Sequence, residues 1–345
     1  MSSHSTGESV TVEPDNVRRF EQSARDLQSA LPEDAFALVE GVEERLLAVA
    51  KRAPAQLVAP AMESLTSGGK RLRPLLMALS AGMGEPEPEA LLQAATAIEV
   101  LHTATLIHDD IVDGAATRRG EPTTVAAYGR GVAIATGDCL FAECFSDLAG
   151  IGDPRLVRAF SEASEGLAAG ELEQYRADSA FVDLEAYLEH IRKKTAGLFK
   201  AACVAGGSLG GLSIRQIDGL ASYGQALGLA FQMSDDVMDL VGKPGLMGKG
   251  IGTDLIEGTV TLPVIVALQE GDTETIQRVL VTPDPGPELL EAGIEAVLAT
   301  DAIEKTEAWA RREIDAALED LELLPEGPER NFLEAVAAEV VGRDI

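Results

Sequence analysis

The sequence predicts an all-α protein, a single-domain bundle of roughly ten helices. Three observations carry that expectation. Apolar residues recur at three-to-four spacing over long stretches. No stretch of clean apolar–polar alternation bounded by turn residues stands out, so no sheet is expected. Prolines and paired glycines fall where helices should end.

In chain order, the first sixteen residues, MSSHSTGESVTVEPDN, are polar and read as a disordered tail, leaving 17–345 as one folded domain. They have no basic region followed by an apolar stretch, so they do not read as a secretory signal. From Leu91 to His108 the set Leu91, Ala94, Ala95, Ile98, Leu101 and Thr105 marks one face of a long helix. Pro74, Pro86, Pro88, Pro122 and Pro154 punctuate the N-terminal half. Between Pro154 and Pro244 there is no proline, which leaves room for several helices broken at Gly206-Gly207 and Gly210-Gly211. From Leu220 the set Leu220, Tyr223, Leu227 and Phe231 marks a second long helix, and Pro244, Pro263 and the run 283–287 punctuate the C-terminal third. No internal repeat and no long linker appears.

Composition limits the partners. With 345 residues, 46% apolar and 25% charged, the chain can bury a sizeable core. Its 57 acidic residues against 28 basic ones give a net charge of −29, which disfavours generic binding to nucleic acid or anionic bilayers. The run Gly219–Ser234 is too short and too polar to cross a membrane, and no transmembrane segment is expected. Cys139, Cys144 and Cys203 have no C-x-x-C spacing and cannot all pair, which fits a reducing, cytoplasmic setting.

Two places break the pattern of an ordinary bundle. His108-Asp109-Asp110-Ile111-Val112-Asp113 and Ser234-Asp235-Asp236-Val237-Met238-Asp239 each hold D-D-x-x-D after a long apolar run. On a helix the first and third carboxylates lie one turn apart on one face, with the second beside them. Like charges so spaced cost a few tenths of a kcal/mol per pair, and burying them uncompensated costs far more. A hard cation held by oxygen ligands resolves the conflict, and Mg²⁺ suits one or two carboxylates completed by water and phosphate oxygens.

The scarce cations bunch, at Lys70, Arg71 and Arg73, at Arg118 and Arg119, and at Arg192, Lys193 and Lys194, as phosphate binding would require. A di-iron reading of Glu99-x-x-His102 fails, because His4, His108 and His190 have no glutamate three residues before them.

Six motifs in order, GGKRLRP (68–74), LHTATLIHDDIVD (101–113), RRGEPTT (118–124), KKTAGLF (193–199), FQMSDDVMD (231–239) and GKGIGTDL (248–255), resemble the trans-isoprenyl (polyprenyl) diphosphate synthases. The resemblance implies a helical bundle with a deep central cavity, and two aspartate motifs facing each other across its mouth. It implies Mg²⁺ held by Asp109, Asp110 and Asp113 from one wall and by Asp235, Asp236 and Asp239 from the other. The family complement is about three ions, two of them bridging the first motif and the diphosphate. Gln232 would support the second wall. Arg118, Lys194 and Lys249 would hold an allylic diphosphate, and Lys70, Arg73, His102 and Arg119 isopentenyl diphosphate. Ionisation of the allylic C–O bond gives a carbocation, steadied by Thr195, which the second substrate attacks. The family usually works as homodimers.

Two details refine the resemblance. In this family a bulky aromatic one turn before the first D-D-x-x-D shortens the product. Here Ala104 and Thr105 are small, and Leu101 and Ile98 below them are aliphatic, which predicts a product of C20 or more. Phe141 or Phe145 could still cap the tunnel. Where the family reads E-G-K, this chain reads Glu257-Gly258-Thr259, so one diphosphate-binding lysine is missing. The alternatives are a class I terpene cyclase, which keeps one aspartate motif and lacks the isopentenyl diphosphate pocket, and a non-catalytic subunit of a heteromeric synthase, which usually loses the aspartates.

Overall fold

A computed structural model of the chain describes residues 32–176, 183–242 and 251–342. The expected tail therefore lies outside the described residues, as does Lys249. Helices run α1 Glu33–Arg52, α2 Val58–Thr66, α3 Leu72–Gly82 and α4 Pro88–Asp113. A short hairpin follows, β1 Thr117–Arg118 and β2 Glu121–Pro122, then α5 Thr124–Tyr128, α6 Arg130–Ile151, α7 Pro154–Arg176 and α8 Leu184–Ile191. A single π-helical turn, Arg192–Ala196, leads into α9 Gly197–Leu209 and α10 Ile214–Val241. The remainder is α11 Thr253–Glu257, α12 Leu262–Glu270, α13 Thr273–Val281, α14 Pro287–Leu298, α15 Ala302–Leu321 and α16 Pro328–Val341.

The fold is all-α, as expected. It holds more helices than the ten or so anticipated, because elements such as α5 and α11 are too short to show a period. The expectation of no sheet needs one correction. Thr117 pairs with Pro122 and Arg118 with Glu121 in a minimal antiparallel hairpin. Its turn, Arg119-Gly120, has φ of 53° and 83°, the two left-handed residues that a tight two-residue hairpin demands.

Local signals set the ends of the two long helices. Pro88 opens α4 while the Glu87 carboxylate accepts the Glu89 and Ala90 amides. Gly114, left-handed at φ 64°, stops α4 directly after Asp113. Ser213 and Gln216 form a capping box at the start of α10. Among the described helices α4 alone is long and apolar enough to cross a membrane by length and composition. However, 72% of its most apolar window is buried within the protein.

The buried apolar residues form two clusters. One joins α1, α2, α4, α6 and α7, and the other α10, α12, α15 and α16. The helices α3 and α9 serve both: Leu76 and Phe199 face the second cluster, Met77 and Ala202 the first. Thus α4 and α10, which carry the two aspartate motifs, stand on opposite sides of a shared partition. Close packing at its edge depends on Gly228 of α10, where a Cβ would sit 2.5 Å from the Ala196 Cα.

Candidate active site

The first aspartate motif fills the last turn of α4, and the second lies within the last two turns of α10. Neither last turn contains a basic residue, so both sets of carboxylates sit at the negative end of a helix dipole. That position costs a carboxylate in the last turn about 0.3–1 kcal/mol beyond mutual repulsion. At Asp109 burial, and then the nearby Glu171 carboxylate, push the carboxyl up to about 7 despite Lys194 and Arg118. Burial and Glu171 also raise Asp113, against Lys194. Anions this poorly compensated fit a cation. Among the described residues no three acidic, imidazole or thiol groups converge into a metal cage. That suits a hard ion whose remaining ligands arrive with a diphosphate.

The expectation that all six aspartates reach the metal does not match their geometry. Successive helical residues are turned by about 100°, so the second aspartate of each motif leaves the face shared by the first and third. Asp110 is 4% exposed, and its Oδ1 accepts from Arg118 Nε at 2.9 Å and Nη2 at 2.8 Å. Asp236 is 2% exposed, and it accepts from the Tyr187 hydroxyl at 2.6 Å and the Gln232 amide at 2.9 Å. Burial lifts Asp236 to about 7, opposed by those two donors. Asp239 accepts the Thr253 and Asp254 amides at 3.1 Å each and so anchors the start of α11. Asp109 and Asp113 leave from the other face of α4, and Asp235 from a different face of α10 than Asp236. Arg118, expected on the substrate, is here engaged with Asp110.

The π-helical turn reaches the surroundings of both motifs. Lys194 pairs with Glu171 at 2.8 Å and acts on Asp109 and Asp113. The next residue, Thr195, donates its hydroxyl to Gln232 Oε1 at 2.8 Å. Adjacent residues thus touch the surroundings of opposite motifs, an arrangement the extra residue of a π turn makes possible. Lys193, by contrast, turns away to pair with Glu173 at 2.7 Å.

A second cationic group lies beside the first wall. Arg73 stacks 4.7 Å over the Phe199 ring, and its buried Nε has no hydrogen-bond partner among the described residues. Burial and the charge of Arg119 hold Arg73 below its usual range. Burial, and then Arg73 and Arg119, keep His102 well below the usual imidazole range, hence neutral. Arg119 donates to the Gly68 carbonyl, an approach that bare Gly69 allows, since a Cβ there would lie 3.3 Å from the guanidinium. Lys70 is exposed on the same loop. Mutually repelling cations around an unpaired Nε suit a second phosphate group. Arg71, from the same motif, instead binds Glu99 at 2.9 Å, so Glu99 is spent on the fold.

The residues expected to set chain length, Ile98, Leu101, Ala104 and Thr105, are all buried in α4. The Thr105 hydroxyl donates to the His102 carbonyl at 2.8 Å. Phe141 stacks on His108 with ring centroids 5.6 Å apart, which ties it to the α4–α6 contact. Glu171 and Tyr187 escaped the sequence reading. In a chain with 57 acidic residues a single glutamate carries no signal. Tyr187 lies two helical turns before Lys194, outside every motif.

Comparison with known proteins gives a consistent set. The family model described as polyprenyl synthetase matches residues 54–292. Heptaprenyl diphosphate synthase component 2 of Geobacillus stearothermophilus is 36% identical over 309 residues, 88% of this chain and 95% of that one. Octaprenyl diphosphate synthase of Escherichia coli is 37% identical over 283 residues, 81% and 88% of the two chains. The crystal structure of polyprenyl synthase from Caulobacter crescentus complexed with calcium and isoprenyl diphosphate superposes with a TM-score of 0.81. It is 30% identical and covers 93% of this chain and 97% of that one.

Proposed function

The chain belongs to the polyprenyl synthetase family and is a prenyltransferase; on that premise we propose that it condenses isopentenyl diphosphate with an allylic diphosphate (geranyl, farnesyl or geranylgeranyl), giving an all-trans product of C20 or longer. The observation that carries this reading is the pairing of sites: the carboxyls of Asp109 and Asp113 raised by burial, and beside them the buried Arg73 Nε, without a hydrogen-bond partner among the described residues, with His102 and Arg119. A cyclase needs the first site and has no use for the second.

Asp109 and Asp113 from α4 and Asp235 from α10 would hold Mg²⁺. Bound there, the ion would polarise the allylic diphosphate and offset its charge as the C–O bond breaks. Calcium with an isoprenyl diphosphate in the Caulobacter crescentus structure supports a divalent cation at such a site. Lys194 and Arg118 give positive charge to the leaving group, each exchanging a carboxylate partner for phosphate oxygens. Lys249 is assigned the same role. Arg73, Arg119, Lys70 and neutral His102 hold the second diphosphate. Thr195 offers its oxygen to the carbocation, and the apolar surface of α4 keeps water from quenching it. The proton lost after coupling goes to the released diphosphate.

Ala104 and Thr105 present small side chains, with Leu101 and Ile98 behind them, and this supports a product beyond farnesyl length. A homodimer is the proposed assembly, as the resemblance to the family implies. The name "component 2" of one relative favours a second reading, a chain that acts only with another subunit. Incubation of the purified protein with Mg²⁺ and farnesyl diphosphate, with and without isopentenyl diphosphate, decides among these. Products longer than the primer, formed only with both substrates, support the synthase. Product without isopentenyl diphosphate indicates a cyclase, and no product indicates dependence on a partner.

A further inference from the structure

Four polar groups reach from the back of the second wall to the π-helical turn in one unbroken line. The hydroxyl of Tyr187, a buried residue of α8, donates to Asp236 Oδ2 at 2.6 Å. Gln232 Nε2 donates to Asp236 Oδ1 at 2.9 Å. Gln232 Oε1 then accepts from the Thr195 hydroxyl at 2.8 Å. The direction of each bond is set by the one before. Asp236 Oδ1 acts as an acceptor here, and Gln232 turns its NH₂ toward it. Its carbonyl oxygen is left facing Thr195, which has to spend its single proton on that oxygen. What remains on the half-exposed Thr195 oxygen is lone-pair density. Reversing the Gln232 amide would reverse Thr195 as well, and it would aim a hydroxyl proton at the substrate.

We propose that Tyr187 is a positioning residue which, through Asp236 and Gln232, fixes Thr195 as a pure acceptor facing the developing allylic cation. The assignment rests on the function proposed above and adds a role that no motif marks. Without the Tyr187 hydroxyl, Asp236 Oδ2 loses its buried donor. The carboxylate then keeps only the Leu262 backbone amide and Gln232 as donors, and it holds Gln232 less firmly in one orientation. The diphosphate sites at Lys194, Arg118 and Arg73 take no part in this chain of bonds.

The test compares two probes by titration calorimetry at fixed Mg²⁺: a sulfur-bridged farnesyl diphosphate, uncharged along its chain, and a farnesyl diphosphate analogue carrying a protonated amine where the cation forms. Tyr187→Phe should weaken the amine analogue at least fivefold and the sulfur-bridged one less than twofold. Thr195→Val should weaken the amine analogue by a similar factor, and the double variant no further than Thr195→Val alone. Should Tyr187→Phe fail to fold on thermal melting, Asp236→Asn serves in its place, since its carboxamide releases Gln232. Equal loss for both probes, no loss for either, or multiplying effects in the double variant would overturn the assignment. A wild-type protein that binds neither probe with Mg²⁺ would overturn the proposed function and the assignment with it.

Discussion

Asp109 has a carboxyl that burial and Glu171 push up to about 7, from an ordinary 3.8. Between those values the folded protein holds more protons than the unfolded chain, so stability without metal falls as pH rises through that window. A cation binding the ionised form works against the same trend. The rise in melting temperature caused by Mg²⁺ with inorganic diphosphate should therefore be small at pH 6 and larger at pH 8. Asp109→Asn should shrink that difference, and a shift independent of pH would contradict the account. At the other edge of the site, Thr259 is half-buried just after left-handed Gly258 and its amide donates to the Asp254 carbonyl at 2.8 Å. Thr259→Lys should restore a charged donor and lower the KM for the allylic diphosphate about tenfold, roughly 1.4 kcal/mol. An unchanged KM would mean that the missing lysine has no bearing on this chain. The aspartates themselves were legible in the sequence because their pattern was out of place after apolar runs. Their division of labour was not, since it depends on which face of the helix each side chain leaves.

At the scale of elements, α4 and α10 could be read from their period, their caps and their punctuation. The hairpin at 117–122 and the π turn at 192–196 could not. Two-residue strands have no alternation to detect, and one extra residue in a helix leaves the composition unchanged. Yet it is the π turn that sets Lys194 beside one wall and Thr195 beside the other. Its seat against α10 depends on Gly228, where a Cβ would press on backbone rather than on a movable side chain. Gly228→Ala should destabilise the protein by about 1–3 kcal/mol in denaturant unfolding, because overpacking here has no side chain to displace. It should also reduce kcat in the folded fraction, and wild-type stability and kcat would contradict the assigned contact.

For the whole molecule, two apolar clusters meet across α3 and α9, with one aspartate motif on the helix of each. This arrangement resolves the composition puzzle of a strongly acidic chain whose few cations bunch at substrate phosphates. Product length is the property that reads out the interior. Ala104→Phe should shorten the product toward farnesyl length, measured by chromatography of dephosphorylated chains, and wild-type chain length would place the tunnel elsewhere. The most direct test of the central claim is a crystal structure with Mg²⁺ and a sulfur-bridged allylic diphosphate. The account predicts the diphosphate between Asp109 and Asp113 on one side and Asp235 on the other, bridged to them by metal, with Asp110 and Asp236 still bonded to Arg118 and Tyr187. A diphosphate bound away from both motifs, with the carboxylates turned to solvent, would contradict it.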